Sequence, residues 1–389
     1  AHELPISIRH QLLSTQFALR IYSNPVNPAH QCIFKYSNAD RYISKPSAIR
    51  PLALRIEEDF KSICPDPSLI MAPSFYSDTP YWLLRPPELD FSMRKFEGKK
   101  HLAPSLLKNE FYTLLEYYPD HLSIYTDGSK DDNRVACAAT GDHILIQIRL
   151  PDAASIYSAE LLAIYEVLTL LECSAPNKQV LIVSDSLSSL QAIANFNIKN
   201  PYVFKIIEKC TVLYNKGFDL VLIWCPSHVG VMGNERADLL AKEALSFTTC
   251  TVRIPSTDLK ARVGSFYKRK WQELWNTEPA NKLHTILPSI SKWPHGSRKD
   301  RREEVVLARA RIGHTHHTHG YLLRREPQPV CIPCQCPLTV QHILLECVDF
   351  HFTRTKYFNN IASMRQLFEE VHPSKLLLFL KEIGLFYRF

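Results

Sequence analysis

Four carboxylates stand where catalysis or cation binding could use them. Asp127 follows the apolar run Leu122–Thr126 in "HLSIYTDGSKDD", and Glu160 sits in the first turn of "SAELLAIYEVLTLLE". Asp185 closes the short apolar run that begins at Val180, and Asp238 lies early in "GNERADLLAKEA". Each has an ordinary reading when taken alone. Asp-Gly after a strand makes a turn, and an acid in a first helical turn complements the helix dipole. Asp185 suits an N-cap, and Asp238 suits a solvated surface. The set has a different chemistry. Clustered carboxylates repel unless a cation neutralises them or some take up protons. Hard oxygen ligands select Mg²⁺, or Mn²⁺, over zinc. Two such ions ~4 Å apart can stabilise both the attacking and the leaving oxygen of a phosphodiester displacement.

A second group has softer ligands. Cys331-x2-Cys334-x7-His342-x4-Cys347 carries the three thiolates and one imidazole of a zinc site, with free buried thiols as the alternative. Cys336 falls inside this group without an assigned role. His314, His316, His317 and His319 could join a metal site or stand as solvated helix-end histidines.

The elements that must position the acids are legible in the middle of the chain. Leu122–Thr126 reads as a strand stopped by a turn at Asp127-Gly128. Val135–Thr140 and Ile144–Leu150 read as two more strands around a tight turn at Thr140-Gly141-Asp142. Ser158–Glu172 has helical spacing, with Ser158 as its N-cap. Val180–Val183 is apolar throughout, as in a strand covered on both faces. Helices are expected at Leu187–Asn195 and Tyr202–Asn215, a fifth strand at Leu220–Trp224, and a last helix at Asn234–Ser246 with Leu239 and Leu240 on the sheet. The fold class is α/β, a mixed five-stranded sheet with flanking helices. A helical and irregular N-terminal connector precedes it, and a small C-terminal Cys/His region follows. A helical crossover allows the strands before Asp127 and Asp185 to lie parallel and adjacent. Both acids then reach the sheet edge where open α/β sheets take ligands.

With 389 residues, 46% hydrophobic and 22% charged, the chain has room for two or three domains. The segments expected are 1–118, 119–247, 248–325 and 326–389. Net charge is +7 and unevenly spread. Residues 1–118 carry 14 basic and 12 acidic side chains, 119–247 carry 10 and 15, and 248–389 carry 22 and 12. A basic region beside an acidic one suits a polyanion held next to a cation site, and equally an ordinary solvated surface. In "FYKRKWQELWN", Lys268, Arg269, Lys270 and Trp271 could hold phosphates and stack, or lie on an amphipathic helix packed by Phe266, Trp271 and Leu274. The 11 cysteines, the absence of a secretory signal and the lack of a membrane-length apolar run point to a reducing, intracellular setting, cytoplasmic or nuclear, without a membrane partner. The first residue is Ala rather than Met, which fits a fragment of a longer protein.

Taken together, "YTDGS", "YSAELLAI", "IVSDSLSSLQAI" and "WCPSHVGVMGNERADLLAKEA" resemble the type 1 ribonuclease H family in order, spacing and elements over about 119–247. The resemblance implies an endonuclease that cuts the RNA strand of RNA–DNA hybrids with two Mg²⁺ ions, leaving 5′-phosphate and 3′-hydroxyl ends. No small-molecule cofactor is implied. Asp127, Glu160, Asp185 and Asp238 match the metal-binding carboxylates, and His228 matches the histidine linked to proton transfer or product release. Here "FNIKNP" stands where the cellular bacterial enzymes carry a basic helical protrusion. "ARIGHTHHTHGYLLRREPQPVCIPCQCPLTVQHILLEC", "LLSTQFALRIYSNPVNPAHQCIF" and "SKPSAIRPLALRI" resemble segments flanking ribonuclease H in arthropod-type non-LTR retrotransposon polyproteins, although no Tyr-x-Asp-Asp polymerase motif is present. Two alternatives stay open: a nucleic-acid-binding remnant without turnover, and a different nuclease specificity, such as double-stranded RNA.

Overall fold

The middle of the chain folds around a sheet whose central strands are covered on both faces. The computed structural model describes residues 3–34, 40, 42, 44, 47–72, 79–97, 102–175, 178–290, 293 and 300–389. The basic stretch Arg298–Arg302 and the segment "SKPSAIRPLALRI" therefore lie partly outside the described residues. The chain divides into two compact units, His10–Phe266 and Tyr267–Phe389 with Ala1–Arg9. Among the described residues no helix is long and apolar enough to cross a membrane.

In chain order the first unit contains α1 (Ile6–Tyr22), which begins in the other unit, then α2 (Pro28–Phe34), α3 (Leu52–Ile63), β1 (Ile70–Met71), β2 (Glu88–Asp90) and α4 (Pro104–Leu115). There follow β3 (Leu122–Asp131), β4 (Arg134–Gly141), β5 (Ile144–Leu150), α5 (Ile156–Glu172), β6 (Gln179–Ser184), α6 (Leu187–Ala194) and α7 (Pro201–Asn215). The unit closes with β7 (Asp219–Trp224), α8 (Met232–Ala244), β8 (Ile254–Pro255) and the start of α9 (Leu259–Asn276). The main sheet has six strands in the order β2-β7-β6-β3-β4-β5. β3 pairs parallel with β6, Leu122 opposite Val180, and antiparallel with β4, Asp127 opposite Ala138. The five expected strands are present. The sixth, β2, pairs parallel with β7. At three residues, Glu-Leu-Asp, it is too short and too polar to show a strand period.

Two turn expectations need correction. β3 does not stop at Asp127: it continues to Asp131, and Gly128 sits in the ladder opposite Cys137. The chain reverses later, where Asp132 adopts φ 50°. Likewise Gly141 stays paired with Ile124 and Ile144, and His143 takes the left-handed position. Gly128 serves close packing instead. A Cβ there would lie 3.0 Å from the Glu160 backbone nitrogen and 3.1 Å from its side chain.

Small residues explain the layering. Val135 to Ala139 of β4 are fully buried, because α5 covers one face and α8 the other. α8 packs through Ala237, Ala241 and Ala244, whereas Leu239 is exposed, contrary to the expected Leu239–Leu240 face. In α9 the buried residues are Leu259, Val263 and Tyr267, with Lys268 and Arg269 exposed. The N-terminal segment contributes directly to the sheet's core. Leu84, Met93 and Phe111 join Ile124, Ile182 and Leu222 in one cluster.

The second unit is helical. α10 (Lys282–Ile286), α11 (Arg301–Ile312), α13 (His351–Tyr357), α14 (Met364–Glu370) and α15 (Pro373–Glu382) contribute to a core around Val306, Leu307, Ile343, Leu344, Phe379 and Phe389, and α12 (His316–Arg324) follows α11 in the chain. A two-residue hairpin ladder, β9 (Val330–Cys331) with β10 (Cys336–Pro337), precedes a π-helical turn at His342–Glu346.

Phe111 lies outside 119–247 yet is fully buried in the sheet's core. Phe111→Ala should lower stability by ~3–5 kcal/mol, read as a shifted urea midpoint for the first unit. A change below about 1 kcal/mol would mean that the sheet does not depend on this helix.

Candidate active site and a Cys/His centre

The parallel pair β3–β6 brings two acids to one place. Asp127 projects from the middle of β3, and Asp185 follows the last residue of β6. α5 crosses behind them and supplies Glu160. Its N-cap is Ser155, not Ser158: the Ser155 hydroxyl accepts the Ser158 N–H at 3.1 Å. Asp258, beyond the sheet region, accepts the Ser155 N–H at 2.9 Å and its hydroxyl at 3.0 Å, which fixes the helix end that carries Glu160. Carboxylate oxygens of Asp127, Glu160 and Asp185 all lie within 4.8 Å of one another.

Burial makes this grouping costly. Asp127 and Glu160 are only 5% and 7% exposed. Asp127 is pushed up to about 8, first by burial and then by the charges of Asp185 and Asp238, against a hydrogen bond from the Gly128 backbone. Glu160 is raised well above the carboxylate range by burial, with Asp127 and Asp185 adding to it. Asp185 is raised by burial, against the hydrogen bond that Asn234 donates to it at 3.3 Å and the nearby His228. One oxygen of Glu160, Oε2, is buried without a hydrogen-bond partner. A divalent cation would satisfy that oxygen and reverse each of these shifts, so the donor set fits Mg²⁺ or Mn²⁺.

Asp238 stands beside the three rather than among them. Its carboxylate pairs with Lys242, one helical turn on, at 2.7 Å, while its charge still acts on Asp127 and Asp185. It also approaches His228 and Glu235, with one ligand atom from each within 4.8 Å. His228 is exposed on the loop between β7 and α8, in the left-handed region at φ 55°. Gly230 follows at φ 85° and donates its N–H to Glu235 Oε1 at 3.2 Å. The Trp224 indole donates to the Asp185 carbonyl at 3.0 Å.

Sequence reasoning did not single out Asn234, Glu235 or Lys242. Asn234 is four residues before Asp238 and Lys242 four after, so helical spacing alone places them on the Asp238 face. That spacing was the available signal.

In the second unit, Cys331, Cys334, His342 and Cys347 offer ligand atoms within 4.8 Å of one another. The β9–β10 ladder sets Cys331 opposite Cys336, and the Cys336 sulfur lies 3.3 Å from His342 Nδ1. Arg354 donates to the carbonyls of Leu344 and Cys347, both at 2.8 Å, and so secures the turn that carries His342 and Cys347. Burial pushes the Cys347 thiol up to about 11, which a bound cation would reverse. His314 and His319 stack at 3.8 Å beside Lys282, and among the described residues no third ligand joins them.

Residues 119–246 match the RNase H family model. With the mixed α/β sheet, the match supports a ribonuclease H domain over that stretch, the central third of the chain. A search of the curated proteins finds no match to the chain.

Removing one buried charge should help the metal-free fold. A carboxyl whose folded pKa is raised costs nothing while both states are protonated. It then costs stability as pH climbs from 3.8 toward about 8. Without divalent metal, Asp127→Asn should melt higher than wild type by at least ~2–4 °C near pH 8, and the gap should close toward pH 4. A variant that melts lower at pH 8 would show that the Asp127 charge is already compensated.

Proposed function

We propose that residues 119–246 form a metal-dependent endonuclease that hydrolyses the RNA strand of RNA–DNA hybrids. The observation that carries this reading is the convergence of Asp127, Glu160 and Asp185, the first two buried and the third half-buried, where the parallel pairing of β3 and β6 ends. These three would hold one ion, with Asp238 completing the set for a second. Bound Mg²⁺ supplies charge neutralisation and Lewis acidity for in-line phosphodiester displacement. The protein's own part is positional. Gly128 lets Glu160 approach β3, Asp258 and Ser155 fix the helix that carries it, and Asn234 orients Asp185. His228, exposed at the rim beside Asp238, is placed to exchange a proton with solvent as the products leave. Selection of RNA over DNA requires contacts to 2′-hydroxyls, and the partner strand is read through phosphates and shape. The flanking motifs favour a retrotransposon polyprotein, or a gene derived from one, as the setting.

A second reading is binding without turnover. It is favoured by the short link Asn195–Asn200 between α6 and α7, which leaves an acidic domain without a basic protrusion. Cleavage of a labelled hybrid in Mg²⁺ decides between them. Wild type should produce 5′-phosphate ends, and Asp127→Asn should lose at least about 100-fold in rate. Binding of the hybrid without cleavage at any enzyme concentration selects the second reading, and cleavage that survives Asp127→Asn rejects the site.

For the Cys/His centre the reading is structural Zn²⁺ held by Cys331, Cys334, His342 and Cys347. Metal analysis of the full chain should find about one zinc, lost together with thermal stability of the second unit in Cys347→Ser. Full-length protein that is folded and zinc-free would reject it.

A further inference from the structure

The helix α4 reaches the rim of the carboxylate site from outside the family match. Its inner face is anchored by Phe111, which is fully buried in the sheet's core. One residue on, the Tyr112 hydroxyl accepts the Met232 N–H at 3.3 Å, in the first turn of the helix that carries Asn234, Glu235 and Asp238. One turn back, Lys108 runs alongside the loop that carries His228. Its side chain lies 3.6 Å from where a Cβ on Gly230 would stand, and its ammonium is 6.0 Å from the centre of the Tyr112 ring. Lys108 is half-buried and forms no ion pair with a carboxylate among the described residues.

These contacts matter because of charge. Residues 119–247 carry 10 basic and 15 acidic side chains, so the domain by itself repels a polyanion. His228 is exposed at the rim of the carboxylate site, beside Asp238. We infer that Lys108 of α4 is a phosphate-binding residue of this site, taking a backbone phosphate of the hybrid beside the His228 loop. Tyr112 acts as the positioning residue that docks α4 on the start of α8. The inference rests on the hybrid-nuclease reading and extends its site to a helix that precedes the domain. The Lys108 side chain already runs past Gly230 with its ammonium over the Tyr112 ring, so part of its freedom is restricted before it meets a phosphate.

The test uses the full chain and a labelled RNA–DNA hybrid in Mg²⁺, with steady-state cleavage measured across a salt series. Lys108→Gln should raise KM about 3- to 10-fold at moderate salt with kcat unchanged, and should reduce the slope of log KM against log salt by about 1. Lys108→Arg should keep wild-type values. Tyr112→Phe should raise KM in the same direction, and the double variant should be no worse than Lys108→Gln alone. Melting temperatures of the variants separate loss of binding from loss of fold. Wild type that cleaves while Lys108→Gln keeps both KM and slope overturns this inference alone, as does a loss confined to kcat. Wild type that neither binds nor cleaves the hybrid overturns the nuclease reading and this inference with it.

Discussion

Repulsion among clustered carboxylates, two of them buried, is the constraint around which the first unit is arranged. Asp127, Glu160 and Asp185 come from three separated parts of the chain and are held within 4.8 Å, against both desolvation and their mutual charge. Isolated from their framework, these groups would move apart or take up protons. They stay because each is tied to an element that the core fixes independently: β3 and β6 by ladder pairing, α5 by burial of Leu161, Leu162 and Leu168. The apolar core holds the acids in an arrangement that is unfavourable without a cation, which is how a pre-organised cation site is built.

Backbone approach sets the tolerances of that arrangement. Glu160 sits so close to β3 that a side chain at residue 128 would crowd its backbone nitrogen at 3.0 Å. At the other side of the site Gly233 does similar work, since a Cβ there would overlap the Tyr125 ring at 2.2 Å. α8 therefore starts close against β3, and Asp238 follows one and a half turns later, near enough for its charge to be felt at Asp127. A looser helix would carry Asp238, Asn234 and Glu235 away together.

Much of this was legible in the sequence, for a physical reason. A short all-apolar run, Val180–Val183, and the helical period through Glu160 announce their element types, and the acids adjoin those elements. Two kinds of feature were not legible. Asp127-Gly128 reads locally as a turn, and only the neighbour across the sheet, Glu160, explains why glycine sits inside a strand. Support from outside the domain carries no local signal at all. β2 has three residues, Asp258 caps α5 from 103 positions away, and Tyr112 reaches Met232 across 120. Such partners depend on tertiary contact, which periodicity does not encode. The Cys/His group was readable because ligand type and spacing are themselves the signal, whereas Cys336 acquires a neighbour, His342 Nδ1, only through the β9–β10 register.

The supports from outside bear on what counts as the domain. By family match it is 119–246, but by packing it begins earlier and ends later. β2 closes one edge of the sheet, Met93 and Phe111 fill its core, and Tyr202 donates to the Arg253 carbonyl at 2.7 Å beyond the other boundary. A sheet edge left open exposes unpaired backbone groups, and a core missing Phe111 contains a large cavity. The same flanks also bring positive charge: Lys108 comes with α4, and Arg253, Lys260 and Arg262 lie between the family match and the end of the first unit. Segments that complete the fold of an acidic, carboxylate-centred domain therefore also supply cations. Cleavage of a polyanion, as proposed, would draw on both properties, and in this chain the connection between them is covalent.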